Sequence, residues 1–238
     1  MRGWLVIVLA LSSCYIKPEH VASDGASADT GVLSSRCPGT FATCTGFEDG
    51  QLDGWSPKIS GMGTVGVDAM HARVGTMAAH LHVDGPQSGY PQMSMMRNIG
   101  SSLYIRVFVW IADSYGNADL IAFENGTGGF VSVYTSGGLS VEPVGFVTEP
   151  FARATSNVTL APNTWQCVEV MVDQPTQELR VWHDGAEIDA LHIPNMNLAS
   201  QTLADVRLYG DTQDSNPAAP VDRWFDEIAI DSAQIGCN

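Results

Sequence analysis

Several short segments of the chain alternate between aliphatic residues and residues able to do chemistry. Tyr104, Arg106, Phe108 and Trp110 alternate with Ile105, Val107, Val109 and Ile111. Successive side chains of a strand point to opposite faces, so one face carries an arginine among aromatics and the other is wholly aliphatic. His80 and His82 stand opposite Ala79, Leu81 and Val83; Glu169 stands between Val168 and Val170; Arg180 and Trp182 flank Val181. Side by side in one sheet, these residues form a polar groove. Tyr104, Trp110 and Trp182 would supply stacking platforms, and Arg106 and Arg180 hydrogen-bond donors, the means by which a protein surface holds sugars. A guanidinium fork also fits the carboxylate of a uronic acid. His80 and Tyr104 beside Arg106 and Glu169 are the residue types that run a β-elimination, with one group removing a proton and another delivering one. The alternative is that the strands belong to different sheets and that Trp110 and Trp182 are packing residues.

Two further groupings bear on metals. His80-x-His82 puts two imidazoles on one strand face, as transition-metal sites do, but the sequence offers no evident third ligand. The pair is therefore expected to be solvated or hydrogen-bonded. Asp211, Asp214 and Asp222 read as loop-solvating carboxylates.

The elements that must carry these residues are all strands. Trp165 to Val172 has period two, Gln174-Pro175-Thr176-Gln177 supplies turn chemistry, and Leu179 to Trp182 resumes the alternation before the Asp184-Gly185 turn. Thr45 to Glu48, Thr76 to Val83, Leu103 to Ile111, Leu120 to Phe123, Phe130 to Tyr134, Leu139 to Val141, Val158 to Leu160, Val206 to Tyr209 and Trp224 to Ile230 read as further strands split by Gly and Pro. No window sustains a helical period with caps. The fold class expected is all-β: an antiparallel two-sheet sandwich of jelly-roll type.

The N-terminus reads differently. Met1-Arg2 is followed by an apolar run, Trp4 to Leu11, too short to span a bilayer, and then by Leu11-Ser12-Ser13-Cys14. This resembles the bacterial lipobox, which implies a signal peptide over 1–13, lipidation of Cys14 and attachment to a membrane through that lipid. Tyr15 after the cysteine resembles sorting to the outer membrane or cell surface. Residues 14–36 lack periodicity and read as a flexible tether. The domain is expected over 37–238, as a monomer. With Cys14 assigned to lipid, Cys37, Cys44, Cys167 and Cys237 form an even set in an oxidising compartment, which allows three connectivities. The expected pairs are Cys37 with Cys44 and Cys167 with Cys237. The spacing does not suit a zinc ribbon. A net charge of −15 repels phosphate backbones and excludes nucleic acid as a partner.

Phe47-Glu48-Asp49-Gly50 with Trp55 near the start of the domain, Trp224-Phe225-Asp226-Glu227-Ile228-Ala229-Ile230 near its end, and the Trp165 hairpin with its Asp-Gly turn together resemble the concanavalin A-like lectin/glucanase jelly roll. More narrowly, they resemble laminin G-like and polysaccharide-lyase-like domains of secreted bacterial proteins. The resemblance covers nearly all of residues 41–238. It implies two curved sheets, adjacent first and last strands, and ligands bound across the concave sheet. It also implies a structural calcium held where those strands meet, by Glu48 and Asp226; no other cofactor is expected. The laminarinase-type E-x-D-x-x-E segment is absent. Glu169 has no carboxylate two residues away, whereas a retaining glycosidase needs two about 5 Å apart. The expectation is a domain that binds carbohydrate, a polysaccharide, rather than an enzyme. The alternatives are a polysaccharide lyase acting on an acidic glycan, and a structural or protein-interaction module.

Overall fold

A computed structural model of the chain describes residues 41–61, 63–84, 91–97, 102–112, 117–125, 130–144, 153–196, 203–210 and 220–237. The leader, the tether, Cys14 and Cys37 lie outside the described residues.

Fifteen strands follow in order: β1 (Thr43–Thr45), β2 (Ser56–Lys58), β3 (Gly63–Asp68), β4 (Ala78–Val83), β5 (Gln92–Met96), β6 (Ser102–Ile111), β7 (Asn117–Glu124), β8 (Phe130–Ser136), β9 (Leu139–Val144), β10 (Ala154–Thr155), β11 (Trp165–Asp173), β12 (Glu178–His183), β13 (Ala186–Glu187), β14 (Asp205–Tyr209) and β15 (Val221–Asp231). They form two antiparallel sheets. The eight-stranded sheet runs β13-β12-β11-β6-β15-β4-β3, with β1 paired to β15; the seven-stranded sheet runs β10-β9-β8-β7-β14-β5-β2. The first and last strands are thus neighbours, with Thr43 opposite Ile230.

The aliphatic faces meet between the sheets. Ile105, Val107, Val109 and Ile111 of β6, Val168, Val170 and Val172 of β11, and Phe225 of β15 pack against Ile121 and Phe123 of β7, Val131 and Val133 of β8, and Val206 and Leu208 of β14. Each such side chain contributes about 1.5–3 kcal/mol when fully buried. Among the described residues, a buried polar group enters this layer. Arg223 of β15 is 2 % exposed, and its Nη1 donates to the carbonyls of Tyr209 (2.9 Å) and Asp119, tying the two sheets together beneath β7 and β14.

Three departures from the sequence reading have physical reasons. Val158 to Leu160 forms no strand; the Val158 carbonyl accepts from Leu139 N and its own N–H is taken by Ser156 Oγ, so the segment is irregular backbone held beside β9 after the short β10. β3 and β5 were not expected. The glycines of the first and the methionines of the second are weak strand formers that the sheet accepts for their packing. β15 contains a bulge, where its pairing with β6 shifts between Asp226 and Ala229 and Glu227 takes φ 45°. A bulge re-aims side chains, and here two consecutive carboxylates, Asp226 and Glu227, are both buried.

Candidate functional site

The side chains expected to form a groove lie on one sheet, on the outer face of the eight-stranded sheet. Glu169 stands opposite Arg106 and Trp182, Met171 opposite Tyr104 and Arg180, and Trp224 opposite both Trp110 and His80. The face is not open at its centre, because the segment 232–237 is laid across it and closed by a disulfide from Cys237 to Cys167 of β11 (Cα–Cα 5.9 Å). Ile235 N and Gly236 N donate to Glu169 Oε1 (2.7 Å) and Oε2 (3.0 Å). Arg106 donates through Nη2 to the Glu227 carbonyl (3.0 Å) and through Nη1 to the Gly236 carbonyl (3.4 Å). Arg106 is 1 % exposed and Glu169 0 %. Burial pushes the Glu169 carboxyl up, against the two N–H donors and the Arg106 charge, which pull it down.

The expectation that the Arg106 face meets solvent or a ligand is therefore corrected. A buried guanidinium and a buried carboxylate need partners, and the C-terminal backbone supplies them. Trp110 lies under the 69–77 loop, its ring stacked 3.7 Å from that of His71, and Trp182 is buried beside Tyr104. Neither is an open platform. Arg180 is committed to Glu178 (2.7 Å) and Glu187 (3.0 Å). His80 lies three strands away from Glu169, on β4. The set His80, Tyr104, Arg106 and Glu169 thus surrounds no common cleft. Cys44 is itself disulfide-bonded.

Glu48 and Asp226 converge on one loop. Asp226 Oδ2 accepts from Arg73 N (2.9 Å) and Val74 N (3.2 Å), and Glu48 accepts from Thr76 N (2.9 Å) and Met77 N (3.2 Å). Burial pushes the Asp226 carboxyl up to about 6, despite the N–H groups of Arg73, Val74 and Glu227. Both carboxylates thus tie the loop down through its N–H groups, Asp226 Oδ1 also accepting from Glu227 N (2.7 Å); a calcium ion, which takes about six to eight oxygens, would compete with those N–H groups and would need further ligands.

The outer face of the seven-stranded sheet is different. Its aliphatic side is in the core, and its other side carries a polar field that no described segment covers with a disulfide-closed cap. On β14, Arg207 bonds Glu124 Oε2 (2.7 Å), Gln92 Oε1 (3.1 Å) and Asp205 Oδ2 (3.3 Å), and the Tyr209 hydroxyl donates to Glu124 Oε1 (2.8 Å). Burial and then the Glu124 charge push the Tyr209 phenol far above its ordinary range. Beside this cluster lies a cavity of about 240 Å³, lined by Asp119, Phe130, Ser132, Tyr134, Glu142 and Arg153 among others. Ser132 Oγ donates to Asp119 Oδ1 (2.5 Å), Arg153 pairs with Glu142 (2.5 Å), and burial raises the Tyr134 phenol. The sequence reading named the strands here but not their polar sides. The signal was present: Asp205, Arg207 and Tyr209 alternate with Val206 and Leu208, and Phe130, Ser132 and Tyr134 with Val131 and Val133.

No protein-family model matches the chain, and no curated protein does. Solved structures do. The cellulose-induced protein Cip1 is 20 % identical, with a TM-score of 0.67 over 82 % of this chain and 100 % of that one. An endo-β-1,4-glucuronan lyase from the fungus Trichoderma reesei is 14 % identical, with a TM-score of 0.64 over 82 % and 96 %. Domain 4 of a GH43 extracellular arabinanase from Geobacillus stearothermophilus, solved with arabinotriose, is 14 % identical, with a TM-score of 0.55 over 80 % and 91 %. The chain shares with them a sandwich fold of glucanase/lectin type.

Proposed function

We propose that this domain binds carbohydrate on the outer face of its seven-stranded sheet, and that the chain carries it to a bacterial surface through a lipid on Cys14. One observation carries the binding reading. Among the described residues, the arginine, carboxylates and aromatic rings of this face lie beside an accessible cavity. Sugars need such a surface, because their hydroxyls exchange hydrogen bonds with polar groups already fixed in place, and their C–H faces rest on ring edges. Arg207, Glu124, Gln92 and Asp205 hold one another in position, so little side-chain freedom is lost on binding. Mixed charge across the face suits hydroxyl-rich as well as acidic glycans. The likeness to an arabinanase domain solved with arabinotriose supports the same reading.

A polysaccharide lyase is the second reading, favoured by Tyr209 beside Arg207 and by the likeness to a glucuronan lyase. The electrostatics oppose it. A lyase base must lose its proton near neutral pH, but Tyr209 donates to a carboxylate and is held protonated. The five histidines among the described residues lie on the other sheet or in and beside the turns of β12 and β13 and the 69–77 loop. The purified protein on a glycan array tests the binding reading: retention of a defined class of oligosaccharide is expected, and a blank array would favour an interaction module. Rising ultraviolet absorbance from unsaturated products, lost in Tyr209→Phe, would replace binding by lysis.

The same proposal assigns a structural calcium to Glu48 and Asp226, bracing the 69–77 loop that covers Trp110.

A further inference from the structure

His80 and His82 acquire in three dimensions the third ligand that the sequence did not reveal. β4 pairs with β15 so that Asp222 stands opposite His82 and Trp224 opposite His80. Asp222 Oδ1 lies 2.6 Å from His82 Nδ1 and 2.8 Å from His80 Nε2. The two imidazoles and this carboxylate each offer one ligand atom within 4.8 Å of the others, and all three residues are half-buried. Asp222 is thus a strand residue turned toward the histidines and does not solvate a loop.

The second nitrogen of each ring is also engaged. His80 Nδ1 is 2.7 Å from Asp68 Oδ2, and His82 Nε2 is 2.8 Å from Asp84 Oδ1. Asp68 is itself fixed by the Trp224 indole N–H (2.9 Å to Oδ1), and the Trp224 ring stacks on His80 at 4.0 Å and 9°. A neutral imidazole has one N–H and one lone pair. If each ring is neutral and gives its N–H to Asp68 or Asp84, both lone pairs point at the same carboxylate oxygen, an arrangement of three acceptors that either a proton or a metal ion at its centre satisfies. Metal-bound histidines are built this way: one nitrogen on the ion, the other donating to a carboxylate that fixes tautomer and ring orientation.

We propose that His80 Nε2, His82 Nδ1 and Asp222 Oδ1 bind a divalent transition-metal ion of the Zn²⁺ class, with Asp68 and Asp84 orienting the imidazoles. Two nitrogens and one oxygen suit Zn²⁺ far better than Ca²⁺ or Mg²⁺. Tetrahedral zinc with bonds of about 2.0–2.1 Å needs its ligand atoms about 3.3 Å apart, so the present separations must widen by roughly half an ångström. Side-chain torsions supply that. The neighbouring strand does not crowd the site, since Gly66 of β3 stands opposite His80 and a Cβ there would meet nothing within 4 Å. With three protein ligands and partial exposure, the fourth position is left to water or a ligand from solution. The site would also pin β4 to β15. It lies on the opposite sheet from the proposed glycan face, and its test is independent of that reading.

The test is calorimetric titration of ZnCl₂ into the purified, chelator-treated protein, prepared without a polyhistidine tag and in excess calcium so that hard-oxygen sites are filled. One zinc per chain with a micromolar or tighter Kd is expected, weakened at least about tenfold in His82→Gln and in Asp222→Asn, with a melting temperature that rises with zinc in the wild type alone. Histidine ring ¹⁵N spectra of the wild type need no variant, and should show metal on Nε2 of one ring and Nδ1 of another. Absence of stoichiometric heat, unchanged affinity in both variants, or ring nitrogens that do not respond to zinc would overturn the proposal and leave the five groups as a proton-bridged network.

Discussion

The two outer faces of this sandwich carry the same kinds of residue and end in different roles. Each has an arginine on a strand interior next to a glutamate on a neighbouring strand, with aromatic residues within two positions: Arg106 and Glu169 on the eight-stranded sheet, Arg207 and Glu124 on the seven-stranded one. On the first face the partners are completed by backbone groups of 227 and 235–236, and Arg106 and Glu169 vanish from the surface. On the second, the partners are side chains of the same sheet, and the cluster stays beside an accessible cavity. The same alternation thus yields a sealed structural network in one place and a presentable surface in the other. What separates them is a six-residue C-terminal segment held down by one disulfide.

The largest effects should come from breaking the sealed face. Glu169→Gln turns an amide N–H toward a backbone N–H of 235 or 236 and removes the negative charge that stands opposite buried Arg106. A loss of about 3–5 kcal/mol is expected in urea denaturation, against about 1 kcal/mol for an equivalent change at the more accessible Arg207. Equal losses at the two sites would erase the distinction. Opening the Cys167–Cys237 bridge, which spans 70 residues of sequence, should cost about 4 kcal/mol in the chain-entropy model. Paired Cys→Ala variants should also expose the Trp182 region to fluorescence quenchers. An unchanged midpoint would mean that the cap is held without the bridge.

A smaller effect follows from Asp226. Its carboxyl is raised to about 6 from 3.8 in the folded protein, so its contribution to stability is fully present below the ordinary carboxylate range and is lost as pH rises through about 6. In chelator, stability should fall by up to about 3 kcal/mol between pH 4 and pH 7. Calcium should remove most of that slope and raise the melting temperature at neutral pH. Identical melting curves with calcium and with chelator would end the calcium assignment.

The sandwich was legible in the sequence because its core strands alternate aliphatic with other residues: Ile105 to Ile111 and Val168 to Val172 leave no choice of face. β5 was not, because Met93, Met95 and Met96 carry no strand preference, and the Glu227 bulge was not, because nothing local requires it. The choice of functional face was not legible for a deeper reason. Period two says which side of a strand is apolar, but not what lies over the other side. The cover is Ile235-Gly236-Cys237, whose role depends on a disulfide partner 70 residues away. Likewise His80-x-His82 announced two ligands, but Asp222 reaches them only through strand pairing across 140 residues.

Two surface arginines form a matched pair for the central claim. Arg153 on the seven-stranded face and Arg180 on the eight-stranded one are each held by glutamate and each accessible, with side chains 59 % and 35 % exposed. Removing either ion pair should change stability by less than about 1 kcal/mol. Affinity for an array-identified oligosaccharide, measured by calorimetry on both variants, therefore reports the binding face alone. The account predicts that Arg153→Ala weakens binding at least about tenfold, some 1.4 kcal/mol, while Arg180→Ala leaves it unchanged. Binding lost in Arg180→Ala and retained in Arg153→Ala would contradict it.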